Sequence, residues 1–270
     1  MCVAVALSLA VRAPHASQQG STENQPPQVV VSKSKRTRAR VSKPADFAGA
    51  GLLQFEYGYD GNFRAPDTSR DQAGTASLLF NATEDLQFEV DFDSFHAQTH
   101  SASQTVAGVG DAYLGAHVTA VPETRRGPSI GFAYLPKVPA ASASRGLGTG
   151  RVDHKCRLLL SKRVHTTDVD FNASLLVNGR ADSSGWDKGY QLSLGLAREL
   201  GHGFALQGDL FGETLDTDQL RGMFVQGGLA YQPTNRLSFD LGVRTGLNPG
   251  APRIGLSAGI SLDLANLYRR

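Results

Sequence analysis

Long apolar runs and cysteine are both scarce in this chain. After the N-terminus there is no stretch of about 18 consecutive apolar residues, which excludes a membrane-spanning helix, and the mean hydropathy is −0.23. Cysteine occurs only as Cys2 and Cys156, which excludes a disulfide framework. Low hydropathy does not exclude a membrane β-barrel, because every second residue of a barrel strand faces away from lipid.

Charge is distributed unevenly along the 270 residues, whose net charge is +2. Residues 21–46 carry six basic and two acidic residues, and Arg12 adds one more positive charge. Residues 47–270 therefore carry about −3. The pI of 8.6 comes from a basic tail rather than from a basic folded domain.

The first 46 residues lack the pattern of a folded domain. Residues 1–17 contain a short apolar core followed by small residues that fit a cleavage site, so they are predicted to be a secretory signal peptide, although its usual positive start is missing. Residues 18–46 are rich in Gln, Ser, Pro and basic residues and are predicted to be a disordered linker. Residues 32–40 resemble a nucleic-acid patch, but no aromatic residue interleaves their charges. A solvated tail, with no nucleic acid as partner, is the preferred interpretation.

Residues 47–270 alternate between apolar and polar side chains, as strands with one apolar face do. The clearest example is 236–248, where Leu237, Phe239, Leu241, Val243, Thr245 and Leu247 share one side. Twelve such strands are predicted, most of them about 10–13 residues long, which is longer than soluble strands of about 5–6 and suits a tilted membrane crossing. They are 49–59, 73–82, 86–97, 109–121, 129–138, 151–163, 168–179, 189–199, 204–215, 221–232, 236–247 and 252–263.

The connections between these strands alternate in length. Long polar ones are predicted at 60–72, 98–108, 139–150, 180–188, 216–220 and 248–251. The intervening connections are mostly tight. A soluble sandwich would pack the apolar faces together and gives no reason for this alternation, whereas outer-membrane barrels join an even number of strands by short periplasmic turns and longer external loops. The predicted fold is therefore all-β: a closed, antiparallel transmembrane β-barrel of about twelve strands over residues 47–270, in the bacterial outer membrane.

Strand parity assigns the two faces of this barrel. The residues predicted to face lipid are Phe88, Phe92, Phe171, Leu194, Leu206, Phe239 and Leu241. The candidate lumen-lining residues are Glu89, Asp91, Asp111, Asp209, Glu213, Asp240 and Arg244. Charges of both signs inside a pore can pair, hold water and set selectivity, and they can equally form a salt-bridged plug.

The order of several segments resembles a known family. These segments are GVGDAYLG at 108–115, IGFAYLPKVP at 130–139, RGLGTG at 145–150, and residues 205–213 and 237–248. Together they resemble the outer-membrane transporter-like family grouped with the phenol meta-pathway degradation proteins, over about residues 48–263. The resemblance implies a Gram-negative outer-membrane barrel that takes up small, often aromatic, compounds. The chain departs from the usual ending of such barrels, because residues 265–270 do not finish on an aromatic residue.

The predicted function is passive passage of small, aromatic or hydrophobic compounds across the outer membrane, without enzymatic activity. The expected partners are outer-membrane lipid, a small-molecule solute and the barrel-assembly machinery. No cofactor is predicted, because the glycine-rich loop at 146–150 lacks the Lys-Ser/Thr ending of a phosphate loop. No metal site is predicted, because His96 and His100 do not share a helix face. Two alternatives stay open: a non-conducting structural barrel, and a hydrolase at the outer rim using Ser142, Ser144 and His96.

Overall fold

A computed structural model of the chain describes residues 40–64, 68–100, 104–181, 183–215 and 222–268. The predicted signal peptide at 1–17 and the linker up to residue 39 lie outside the described residues. The described chain consists of thirteen strands and a single short 3-10 turn, Ala143–Arg145. No helix in the described residues has the length and apolar character needed to cross a membrane.

Twelve long strands and one short strand follow each other along the chain. The bounds are β1 Leu52–Phe63, β2 Thr68–Asn81, β3 Leu86–His100, β4 Thr105–Gly108, β5 Ala112–Val121, β6 Ser129–Val138, β7 Asp153–Val164, β8 Thr167–Gly179, β9 Trp186–Gly201, β10 Phe204–Leu215, β11 Gly222–Tyr231, β12 Leu237–Gly246 and β13 Ile254–Asn266. The short strand β4 pairs with the end of β3.

The long strands form one closed antiparallel barrel. Each pairs with the next along the chain, β3 pairs with β5 across the β4 hairpin, and β13 pairs with β1 from Leu52↔Asn266 to Phe63↔Ile254. This last pairing leaves no free edge among the twelve strands. The prediction of a closed antiparallel barrel of about twelve strands is confirmed.

The two ends of the barrel differ in their connections. The short-turn end carries 82–85, 122–128, 165–166, 202–203 and 232–236, and the loop end carries the others. One of the two-residue turns, between β9 and β10, runs through Gly201, His202 and Gly203, all of which have positive φ. Two-residue hairpin turns need that backbone conformation, because it matches the twist of the flanking strands.

Two predicted loops are shorter than expected. Residues 60–72 were predicted as a loop, but β1 continues to Phe63 and pairs with β2 as far as Phe63↔Arg70. The physical reason is that Asp60 and Asn62 face inward and bind Arg244, so this polar stretch is a strand with a charged inner face. Within the second predicted loop, residues 98–100 likewise extend β3 and residues 105–108 form β4.

The barrel has the reverse of a soluble protein's polarity. Large apolar side chains are exposed on the outside, including Phe88 (47%), Leu206 (54%) and Leu241 (62%), as parity predicted. The buried residues are mostly polar and point inward, among them Gln54, Glu56, Glu89, His117, Arg157, Asn172, Gln207 and Gln226. An exposed apolar belt around a polar interior is stable only where lipid, not water, surrounds it.

The two faces respond differently to the same added charge. Leu241→Arg, at the middle of β12 on the exposed face, should lower the free energy of unfolding in lipid by about 2–4 kcal/mol. Ser238→Arg lies on the inner face opposite Ser261, whose hydroxyl donates to Glu56, so the new guanidinium can pair there and should cost less. Urea unfolding in liposomes, followed by tryptophan fluorescence, measures both. Equal destabilisation would contradict the assigned faces.

Candidate functional site: the barrel lumen

The lumen contains a piece of the chain itself. Residues 40–48, called here the lumen segment, adopt neither helix nor strand. They lie inside the barrel, with Ser42 and Ala45 fully buried and Arg40 5% exposed. The prediction of a disordered linker over 18–46 is therefore wrong for residues 40–46. The physical reason is that the polar wall supplies the partners that a water-exposed tail would find in solvent.

Polar side chains of the wall bind the backbone of the lumen segment. The Ser42 N–H donates to Asp209 Oδ1 at 3.1 Å. The Lys43 N–H donates to Asn172 Oδ1 at 2.7 Å, and Asn172 Nδ2 donates back to the Lys43 carbonyl at 2.8 Å. Asn172 thus pairs both the N–H and the C=O group of Lys43, which would otherwise be buried without hydrogen-bond partners.

The same arrangement continues toward β1. The Ala45 N–H donates to Ser161 Oγ, and Thr119 Oγ1 donates to the Ala45 carbonyl, both at 2.7 Å. Asn81 Nδ2 donates to the Ala48 carbonyl at 2.6 Å. Side chains from β2, β5, β7, β8 and β10 therefore supply hydrogen-bond partners for the backbone of the lumen segment.

An ion pair fixes the far end of the lumen segment. Arg40 Nη1 lies 2.6 Å from Asp170 Oδ2, and both side chains are almost completely buried. The other oxygen of Asp170 accepts a hydrogen bond from Ser161 at 2.5 Å. Apolar contact adds to this attachment, since Ala45 packs with Ala133 and Leu159, and Leu159 is only 1% exposed although it faces the lumen.

Beside the lumen segment is a cavity of about 270 Å³. Its charged lining residues are Arg40, Lys43, Glu56, Asp60, Glu89, Asp91, Arg157 and Arg244. Some of these charges are paired in place: Arg244 donates to Asp60 and Asn62, and Glu89 Oε2 lies 2.7 Å from His117 Nε2. A second space of about 40 Å³, on the side of β1 to β3, is large enough for only a few waters.

The seven predicted lumen residues all lie on inward faces but not at one site. Glu89, Asp91 and Arg244 line the 270 Å³ cavity. Asp209 holds the lumen segment, and Glu213 accepts from Gln191 at 3.0 Å. Their partners are other wall residues or the lumen segment, so the set extends along the lumen rather than forming one cluster.

Asp111 and Asp240 complete the set of seven. Asp111 lies at the loop end, where its Oδ1 accepts the N–H groups of Ala140 and Ala141. Asp240 is half-buried on the same face of β12 as Ser238 and Arg244. Neither residue is among those that line the 270 Å³ cavity.

Several inward charges were not singled out from the sequence. Arg157 and Lys137 occupy inward positions of β7 and β6, and alternation alone could have found them. Arg157 is 9% exposed, donates to Ser174 Oγ at 3.4 Å and forms no ion pair within the described residues. Arg40 and Lys43 lie in an aperiodic basic run, where no sequence pattern indicates a place inside the barrel.

A buried charge cluster fixes the loop of residues 139–150 at the loop end. Lys137 Nζ lies 3.2 Å from Asp111 Oδ2 and 2.7 Å from Asp153 Oδ2, and it donates to Thr149 Oγ1 at 3.2 Å. Leu147 of this loop is buried. The loop is therefore held over the lumen wall and is not a free external loop.

The proposed hydrolase residues do not assemble into a triad. Ser142 Oγ lies 3.2 Å from Ser144 Oγ, and His96 Nε2 lies 3.0 Å from Asp71 Oδ1. Among the described contacts, neither serine hydroxyl reaches His96, and nucleophilic catalysis needs that hydrogen bond. The described residues also contain no group of three or more His, Cys, Asp or Glu able to hold a metal ion.

Removing the buried cation at the loop end should loosen that loop. Lys137→Met leaves two carboxylates without their partner and should cost about 3–5 kcal/mol of unfolding free energy, with faster tryptic cleavage at Arg145. Lys162→Met is the matched control, because its pair with Glu123 is partly exposed and should be worth at most about 1 kcal/mol. Urea unfolding and limited proteolysis measure the two effects. A Lys137→Met protein as stable as the control would contradict the proposed role of the cluster.

Solved structures with a similar fold are outer-membrane proteins. An outer membrane channel from Pseudomonas putida F1 superposes with a TM-score of 0.62 at 15% identity, over 81% of this chain and 97% of that one. The KdgM porin in complex with disordered oligogalacturonate gives 0.52 at 8%, over 78% and 99%, and the NanC porin gives 0.52 at 8%, over 79% and 99%. At these identities the likeness establishes the fold.

No curated protein matches the sequence. A closed barrel with an apolar outside and a polar inside is nonetheless the architecture of bacterial outer-membrane proteins, and it places this protein in that membrane. A family model described as "Putative MetA-pathway of phenol degradation" matches residues 37–264. The match includes the whole lumen segment and nearly all of the barrel, and it confirms the resemblance seen in the sequence: the chain belongs to this family.

Proposed function

We propose that the protein is a passive channel through which small molecules cross the bacterial outer membrane. The observation that carries this proposal is the cavity of about 270 Å³ lined by charges of both signs. Twelve strands make a barrel wider than the eight-stranded barrels that side chains can fill, and narrower than open porins of 16–18 strands. A narrow, partly obstructed pore is the expected result.

The size of the cavity limits the solute. Pockets that take drug-sized ligands measure about 300–1,000 Å³, so a solute here is of the size of a single ring. The family's description refers to phenol degradation, and small aromatic or hydrophobic compounds are accordingly the first class to test. The similar solved structures support a channel, since they are an outer membrane channel and two porins.

Two rival functions have some support. The lumen segment and the paired charges around it favour a non-conducting structural barrel. The His96–Asp71 pair at the loop end retains part of a hydrolase arrangement. Measuring solute flux across an intact membrane separates transport from catalysis, because only a channel equilibrates a solute across it.

Reconstitution of the purified full chain in liposomes tests the proposal. A channel should give osmotic swelling with phenol-sized solutes and discrete conductance steps in planar bilayers. Neither swelling nor conductance, together with ester hydrolysis abolished by Ser142→Ala or Ser144→Ala, would replace the channel by an enzyme. Absence of all three activities would leave the structural barrel.

Lumen charges should set the ion preference of such a channel. Arg244→Gln removes a cation that lines the cavity. One charge at about 4 Å in water is worth about 1 kcal/mol, so the cation-to-anion permeability ratio should rise about five-fold at low salt. Asp240→Asn should shift the ratio in the opposite direction, and Arg236→Gln, in an exposed turn, should leave it unchanged. Reversal potentials in a salt gradient measure the ratio. Identical ratios in all three variants would contradict conduction through this lumen.

A further inference from the structure

We infer that the lumen segment, residues 40–48, is a gate: it occupies the lumen near the short-turn end, and a solute passes only when the segment shifts. This inference rests on the proposed channel function. The five wall residues that hydrogen-bond the backbone of the segment lie within about six residues of the strand end at the short turns. Those residues belong to strands on more than half of the barrel's circumference.

The wall is shaped to hold this segment. A Cβ added at Gly195 would lie 2.6 Å from Ser42 Cβ and 2.7 Å from Asp209 Oδ1, so the seat for Ser42 exists only because residue 195 is glycine. At Gly131 a Cβ would lie 3.0 Å from the Ala45 carbonyl oxygen. Leu159, an apolar residue in a polar lumen, is covered by Ala45. These features indicate a specific docked position rather than chance filling.

The attachments suit a segment that can leave. Within the described residues, no backbone-to-backbone hydrogen bond joins residues 40–48 to the wall. The hydrogen bonds described above join the segment to side chains of the lumen face, and water can take the place of those side chains when the segment moves. The Arg40–Asp170 pair is buried, and the desolvation cost of such pairs offsets most of their attraction. The docked and released states therefore differ by a modest free energy, as two-state elements require.

One end of the segment has a fixed anchor. The Gly51 N–H donates to the Asn81 carbonyl at 2.7 Å, and the Leu267 N–H donates to the Gly51 carbonyl at 2.8 Å. Asn266 Nδ2 adds a bond to the Ala50 carbonyl at 3.1 Å. Gly51 has φ +83°, which favours glycine and turns the chain from the wall into the lumen. Residues 50–51 thus form the point about which the segment would swing once its contacts with the wall are released.

A steric variant tests the gate directly. Gly195→Val removes the seat for Ser42 and should raise single-channel conductance or open probability several-fold in planar bilayers. Gly227→Val is the control for adding a valine at a strand glycine, because residue 227 is exposed on the outer face and a Cβ there meets no atom within 4 Å; it should conduct as the unaltered protein does. Heat-modifiable migration on gels verifies that both barrels are folded. Equal conductance in the folded Gly195→Val and Gly227→Val proteins would overturn the gate.

A reversible lock provides a second test that does not depend on how well Gly195→Val folds. Ser42→Cys with Gly195→Cys, in a Cys156→Ser background, places the two Cβ atoms 2.6 Å apart. The usual Cβ separation in a disulfide is about 3.8 Å, so the irregular segment must move by about 1 Å for the bond to form. Oxidation should close the channel and reductant should reopen it. The same conductance before and after reduction, with the disulfide verified by mass spectrometry, would contradict the inference.

Thiol labelling separates failure of the gate from failure of the channel. In the same Cys156→Ser background, Ser42→Cys alone should react slowly with a maleimide, since Ser42 is fully buried, and several-fold faster when Asp170→Asn removes the ion pair with Arg40. Faster labelling without any conductance would keep the movable segment but refute the proposed channel. No change in labelling between the two proteins would refute the gate whatever the conductance.

Discussion

The structure depends on one constraint: in lipid, every backbone N–H and C=O group must find its partner within the protein. The β13–β1 pairing, from Leu52↔Asn266 to Phe63↔Ile254, meets it by closing the sheet. Closure in turn determines the polarity of the two faces. Side chains alternate across each strand, so an outer face in lipid becomes apolar and an inner face in water becomes polar. The exposed Leu241 and the buried Arg157 follow from the same requirement.

Because successive side chains of a strand meet lipid and water in turn, much of the fold can be predicted from the sequence. Twelve strands and their two faces follow from alternation, and Leu241 and Arg244 fall on the expected sides. Alternation does not reveal a strand where the outward residues are polar or small, as the inward residues are. At residues 59–63, Gly61 and the Tyr59–Gln72 pair face outward, and the stretch therefore resembles a loop although its backbone continues the ladder.

The contacts within the lumen could not be predicted in this way. Arg40 and Asp170 are 130 residues apart, and Arg244 and Asp60 are 184 apart. Alternation indicates that Asp170 and Arg244 point inward but not which strand they face, because that depends on how the barrel closes. Residues 40–48 have no periodicity at all, and their basic character suggested solvent. Their ordered place follows from partners on the wall that no local pattern identifies.

The lumen segment occupies interior space that a barrel of this width leaves unfilled. Eight strands leave an interior that side chains fill, whereas twelve leave space that wall side chains alone do not span. That space has to hold either solvent or additional chain; in this protein the lumen segment fills one side and leaves a cavity of about 270 Å³ on the other. Because the wall binds that chain with the same hydroxyl, amide and carboxylate groups that would otherwise bind water, exchanging one for the other disturbs no strand pairing. Obstruction of the lumen and stability of the barrel are therefore separable, and a barrel of this width can be closed without being rigidly sealed.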